Sequence, residues 1–260
     1  MRQNRILQLL NDNRSAPRAF RVQASDDASE VTVYLYDVIV TEDWYGGVSA
    51  TAFVQALASI TADTIHLRIN SPGGDVFAAR AMETAIRGHS AKVVAHVDGV
   101  AASAASFVML AADEVEISDG AFVMIHKAWS FAMGNADDLK ETAKLLDAVD
   151  ASLVRTYAKE TGQDEADIAA WMAAETWFTS DEAVTNGFAD RLANGDDAAQ
   201  ASAWNLSAFS NAPKPKAQPG SQEANDPASE PAPAATPVAN AKPEPDFAAM
   251  KRRLDLQQRL

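Results

Sequence analysis

Asp98-Gly-Val-Ala-Ala-Ser-Ala-Ala-Ser-Phe107 is a run of small residues set between an extended apolar segment and a helical one. Before it, Lys92-Val-Val-Ala-His-Val97 is β-branched and short, as a buried strand is; after it, Ala104 to Ala112 holds only small and apolar residues, as a buried helix does. Ser103 stands at the corner between the two. A serine at a strand-to-helix turn presents its hydroxyl at a sharp bend, with the N–H groups of the helix start aimed at whatever binds there. The same residues also fit a plainer role, in which Ser103 or Ser106 caps a buried helix.

The flanking segments favour chemistry. Leu67-Arg-Ile-Asn-Ser-Pro-Gly-Gly-Asp75 reads as a strand ending in a Gly-rich turn, followed by a helix from about Asp75 to Arg87 that Gly88 closes. Without a Cβ, Gly73 and Gly74 let the backbone approach a substrate and offer N–H donors. Downstream, Phe122-Val-Met-Ile-His126 is an apolar strand ending in a histidine. A serine, a histidine and a paired-glycine turn supply nucleophile, general base and oxyanion hole.

Ser-Pro-Gly-Gly at 71–74, Gly-Val-Ala-Ala-Ser at 99–103, Met-Ile-His at 124–126 and Glu-Ala-Val-x-x-Gly-Phe-Ala-Asp at 182–190 resemble, in order and spacing, the ClpP family of serine peptidases. Ala-Ala-Ser-Ala-Ala-Ser at 101–106, Gly-Asn-Ala-Asp-Asp at 134–138 and Glu-Thr-Trp-Phe-Thr at 175–179 are similar to ClpP-related head maturation proteases of tailed phages. The likeness covers about residues 30 to 195. It implies an α/β fold, a ClpP/crotonase-like stack of βαβ units with a projecting handle helix that pairs with another subunit. It also implies a serine endopeptidase without cofactor or metal, acting on protein or peptide substrates as a homo-oligomer. By motif position, Ser103 attacks, His126 is the base, and the N–H groups of Gly74 and Ala104 hold the oxyanion. Gly73, Val76 and Ala128 border the substrate. The family's orienting aspartate aligns with Glu175, whose carboxylate can do the same work if the backbone absorbs the extra methylene; otherwise His126 works in a dyad. Asp190 matches a structural position. His89, beyond a helix end, and His96, within a strand, are weaker bases. A Ser-Lys pair through Lys127 is an alternative, but strand neighbours face opposite sides, so His126 and Lys127 cannot both point at Ser103.

Three roles compete. The first is cleavage of capsid and scaffold proteins during phage head maturation. The second is a housekeeping proteolytic subunit fed by a AAA+ unfoldase. The third is an assembly protein with a passenger peptidase domain, or an inactive relative with a crotonase-like oxyanion hole.

Composition narrows the setting. With 260 residues, 47% hydrophobic and 22% charged, the chain has material for one sizeable core with appendages. A formal net charge of -14 argues against a general nucleic-acid binder, which needs clustered Lys and Arg. No apolar run has the length of a membrane span, so a cytoplasmic protein is expected, with no membrane partner. The absence of cysteine rules out disulfides, thiolate metal sites and a cysteine nucleophile.

Four segments follow. Residues 1–28, with Arg2, Arg5, Arg14, Arg18 and Arg21, read as a basic appendage: a short amphipathic helix, then a loop broken at Pro17. Residues 29–198 form the peptidase domain. In it Val31–Tyr36 alternates as a strand, Ser49 caps a helix lined by Phe53, Leu57 and Ile60, and the Trp44-Tyr-Gly-Gly47 turn is a candidate border of the substrate groove. Ile65, Leu67 and Ile69 face inward there, with His66 and Arg68 on a solvated or subunit-facing side. The longest helix spans about Asp137 to Thr161, starting near Asn135 and stopping at Gly162, with Leu139, Ala143, Leu146, Val149, Leu153 and Tyr157 on one face. Residues 199–245 carry nine of the 11 prolines and read as a disordered linker. Residues 246–260 read as a short basic amphipathic helix, with Phe247, Met250 and Leu254 on one stripe. The expected role of 199–260 is delivery to a partner, dispensable for cleaving small substrates.

Overall fold

The computed structural model describes residues 4–25, 29–43, 46–193 and 204–213. Trp44 and Tyr45, most of the 199–245 linker and the 246–260 helix lie outside the described residues. The chain begins with α1 (Arg5–Asp12), β1 (Ala19–Ala24), β2 (Glu30–Tyr36), β3 (Ile39–Val40), β4 (Val48–Ser49) and α2 (Ala50–Ala58). It continues through β5 (Thr64–Ser71), α3 (Val76–Arg87), β6 (Lys92–Ala102), α4 (Ala104–Met109), β7 (Glu114–Ile117) and β8 (Phe122–Ile125). Then come α5 (Ala136–Thr161), α6 (Glu165–Ala174), β9 (Thr176–Thr179), α7 (Ser180–Thr185) and β10 (Arg191–Leu192).

The main sheet runs β1-β2-β5-β6-β7-β10, antiparallel at β1–β2 and parallel elsewhere along that path. Strand β6 serves two neighbours. Val94 to Val97 pair with β7, whereas Val100 to Ala102 pair with β8, which β9 joins antiparallel. The hand-over sits at a register irregularity: Ile69 faces Val97 but Ser71 faces Ala101, so β6 carries extra residues there. An added residue twists and re-aims a strand. Here it carries the end of β6, and Ser103 after it, toward β8.

Local chemistry sets the helix limits. Asp75 accepts the Ala78 N–H at 2.7 Å to start α3, and Ser49 accepts that of Ala52 to start α2. Asn135 and Asp138 form a reciprocal capping box at α5, which Gly162 ends at φ 74°, a left-handed conformation that costs glycine little. Of the stripe expected along α5, only Leu153 and Tyr157 are buried, and Leu139 remains 47% exposed. The first half of this helix stands away from the core, as the projecting handle implied.

Alternation along the strands creates two apolar layers. Ile65, Leu67 and Ile69 of β5, Val93 and Ala95 of β6, and Val123 and Ile125 of β8 pack with α2, α3 and α4. His66 and Arg68 face the other side as expected, within a polar network: Arg68 pairs with the buried Asp98, which also accepts the Tyr36 hydroxyl. Val100, Ala102 and Met124 also point to that opposite side. A second apolar cluster forms on them, made with Val38, Val40, Leu9, Leu10, Trp204 and Phe209.

That second cluster changes two expectations. After Pro17 the chain continues as strand β1, paired with β2 from Ala19–Tyr36 to Ala24–Val31, rather than as a loop. Residues 204–213, assigned by composition to the linker, pack on the body with Trp204 and Phe209 each 6% exposed. Burying a large apolar side chain contributes about 2–3 kcal/mol.

Candidate active site

Ser103 sits between β6 and α4 with φ 53° and ψ -122°. Among the described residues only Glu175 shares a positive φ without being glycine. A side chain held there costs about 1–3 kcal/mol and persists because its surroundings insist on it. Here the Ser103 N–H donates to the Met124 carbonyl at 2.8 Å, and the Ser106 hydroxyl donates to the Ser103 carbonyl at 2.6 Å. Ser106 in turn shares a 2.7 Å hydrogen bond with the buried Tyr157 of α5. Gly73 lies against the corner: a Cβ on it would stand 2.4 Å from the Ala102 carbonyl oxygen and 2.9 Å from the Ser103 Cβ.

The Ser103 hydroxyl makes no capping bond to α4. It lies 2.7 Å from Nε2 of His126, the residue just after β8. Strands β6 and β8 pair from Val100–Phe122 to Ala102–Met124, so neighbouring parallel strands deliver nucleophile and base side by side. His126 is 8% exposed, and its pKa is pushed down to about 4, first by burial and then by the Arg5 charge. The ring is therefore neutral at pH 7 and able to accept a proton.

A cavity of about 240 Å³ opens beside the pair, bordered by Gly74, Val76, Ala104 and Ala128, with Phe107, Leu146, Val149 and Leu153 forming an apolar wall. Among the described residues, the N–H groups of Gly74 and Ala104 have no protein acceptor. Gly74 reaches this position because its backbone runs against Ile39, where any Cβ would meet the carbonyl oxygen at 1.8 Å. Of the residues expected at the substrate, Val76 and Ala128 line the cavity. Gly73 does not, and instead backs the nucleophile.

Glu175 is not brought to the histidine. Ile125 pairs with Thr176, which puts Glu175 beside His126 across the strands, yet its carboxylate turns away and accepts the Asn211 N–H at 2.7 Å. No ion pair or hydrogen bond joins it to His126, and among the described residues no other carboxylate pairs with that ring. Asp190 accepts the Val115 N–H at 2.7 Å, a structural task. His89 accepts the Ala91 N–H, His96 bonds His66 on the opposite sheet face, and Lys127 is exposed. None of these three approaches Ser103 with a hydrogen bond.

Other contributors were not anticipated. Asn4 and Ile6 of the N-terminal segment line the cavity, and the Arg5 guanidinium lies 5.3 Å from the Trp129 ring. Phe209 packs edge to face on His126. A signal for Phe209 was available, since Trp204, Leu206 and Phe209 interrupt an otherwise apolar-poor stretch at strand-like or turn-like spacing.

The profile of the Clp protease family matches residues 29–196. The chain belongs to the Clp protease family. Its relatives include the ATP-dependent Clp protease proteolytic subunit 2 of Treponema denticola, 32% identical over 131 residues, or 50% of this chain and 66% of that protein. The subunit 2 of Pseudomonas aeruginosa is 30% identical over 139 residues, 52% of this chain and 69% of the relative. That of Mycolicibacterium paratuberculosis is 28% identical over 155 residues, 59% and 77% of the two chains. Members of the family are serine peptidases, and the matched region contains Ser103, His126, Gly74 and Ala104. Both α1 and residues 204–213 fall outside the match.

Proposed function

We propose that this protein is a serine endopeptidase in which Ser103 and His126 act as a dyad on extended polypeptide segments. The observation that carries the reading is the 2.7 Å Ser103–His126 contact at the edge of a cavity that Gly74 and Ala104 also line. In this reaction Ser103 Oγ attacks the scissile carbonyl carbon while its proton passes to His126 Nε2. The carbonyl oxygen takes the electron pair and is held by the Gly74 and Ala104 N–H groups. Collapse of the tetrahedral adduct breaks the C–N bond, and His126 returns its proton to the leaving amine. Water, deprotonated by His126, then releases the acyl group from Ser103. The apolar wall suits a hydrophobic side chain beside the cleaved bond. Turnover of an unstructured protein substrate, abolished in both Ser103→Ala and His126→Ala, tests this reading; equal turnover by either variant overturns it.

Two biological settings suit the same chemistry. The named relatives are ATP-dependent proteolytic subunits, which supports degradation of polypeptide delivered by an ATPase partner. Capsid or scaffold processing rests on the 101–106, 134–138 and 175–179 motifs alone. The comparisons add nothing to it. Cleavage that requires an unfoldase and ATP selects the first setting, and cleavage of co-expressed capsid protein without either selects the second.

A further inference from the structure

We infer that Phe209 is a positioning residue for His126, holding by ring packing an imidazole that no carboxylate among the described residues holds. The inference rests on the dyad reading above. With one hydrogen bond, to Ser103, the His126 ring depends on packing to limit rotation about its Cβ–Cγ bond and keep Nε2 aimed at the hydroxyl. The Phe209 ring supplies it, with its centroid 5.7 Å from that of His126 and the two planes at 87°. Edge-to-face pairs of this kind are attractive beyond the area they bury. Phe209 is itself gripped by Trp177 of β9 at 5.7 Å and 77°.

The segment that carries Phe209 is fastened on both sides of it. Before Phe209, the Trp204 indole N–H donates to the Asn70 carbonyl at 3.0 Å, and Asn13 exchanges two hydrogen bonds with the Asn205 backbone, at 2.7 and 3.1 Å. After it, the Asn211 N–H donates to Glu175 at 2.7 Å and the Asn211 amide donates to the Ala174 carbonyl at 2.9 Å. Glu175, the register neighbour of His126, therefore acts on the histidine through the backbone that holds Phe209. Phe209 also excludes water from its side of the ring, which contributes to the burial that lowers the histidine's proton affinity.

The test uses the full chain with Phe209→Ala, Phe209→Leu and Phe209→Tyr, reading the fluorophosphonate labelling rate and the His126 titration by NMR. Thermal melting checks the fold. The Leu variant, which keeps an apolar side chain but no ring edge, is expected to fold and to label about tenfold slower or worse, since small misplacements of reacting groups are costly. The Tyr variant restores labelling. In the Ala variant the His126 midpoint rises above the parent's, because burial is what depresses it. Leu or Ala variants that label as fast as the parent, or faster, overturn the inference; faster labelling identifies the segment as a cover on the site. A midpoint in the Ala variant unchanged from the parent's overturns it whatever the labelling rate. If the parent chain does not label at all, the peptidase reading fails, and the NMR midpoint still decides the positioning claim.

Discussion

At Ser103 the backbone adopts a conformation that an ordinary side chain avoids, and the strain is stored where the hydroxyl meets His126. The proposed nucleophile and base were singled out because Ser103 stands at a strand-to-helix corner, His126 ends an apolar strand, and both match the family's motifs. The role of Glu175 was not readable, because its partner Asn211 lies 36 residues away in a stretch whose composition resembles linker. Since glutamine keeps the oxygen that accepts the Asn211 N–H, Glu175→Gln is expected to label within about threefold of the parent; a loss of orders of magnitude, as wrong-tautomer variants show, restores Glu175 as the orienting acid. The lowered pKa of His126 sets a pH dependence. Below 6.5 an unfolded chain protonates this residue while the folded one resists until about 4, so its contribution to stability declines as pH falls through that window. The unprotonated base persists over the same range, so the acid limb of the rate profile is expected near pH 4. A limb at 6.5 in a steady-state pH series contradicts the burial argument.

Elements beyond the family match complete the site. Helix α1 follows the amphipathic pattern expected of residues 1–28, but its partner surface is formed by alternate residues of β3, β6 and β8 that a one-faced reading of those strands does not reveal. Strand β1 was missed because it lies at a sheet edge, where four of its six residues stay exposed while Phe20 packs on the core. The 204–213 segment was missed because proline and alanine around it outweigh three large apolar residues. By contrast, α3 and α5 were legible at both ends, since their caps are local in sequence. This assigns the tail differently from its composition. A chain ended after Pro213 should label like the parent, whereas one ended after Ala193 should lose about 3 kcal/mol or more with the burial of Trp204 and Phe209, and label far more slowly. Equal labelling by the two truncations, measured alongside their melting temperatures, returns residues 204–213 to the dispensable tail.

Across the whole molecule, the family match spans 29–196, while Asn4 and Ile6 line the cavity and Phe209 packs on His126 from segments on either side. The exposed half of α5 presents Leu139 and Leu145, 47% and 53% exposed, and Phe131 and Met133 in the segment before it are also exposed. Apolar residues on a projecting helix suit pairing with a second copy. Leu139→Glu with Leu145→Glu is expected to lower the mass seen by light scattering, and an unchanged mass removes α5 from the interface. The central claim, that Ser103 is an activated nucleophile, is tested most directly by intact-mass measurement after fluorophosphonate treatment. The parent chain is predicted to gain one adduct, located on Ser103, and Ser103→Ala none; equal modification of both, or none of the parent, contradicts the account.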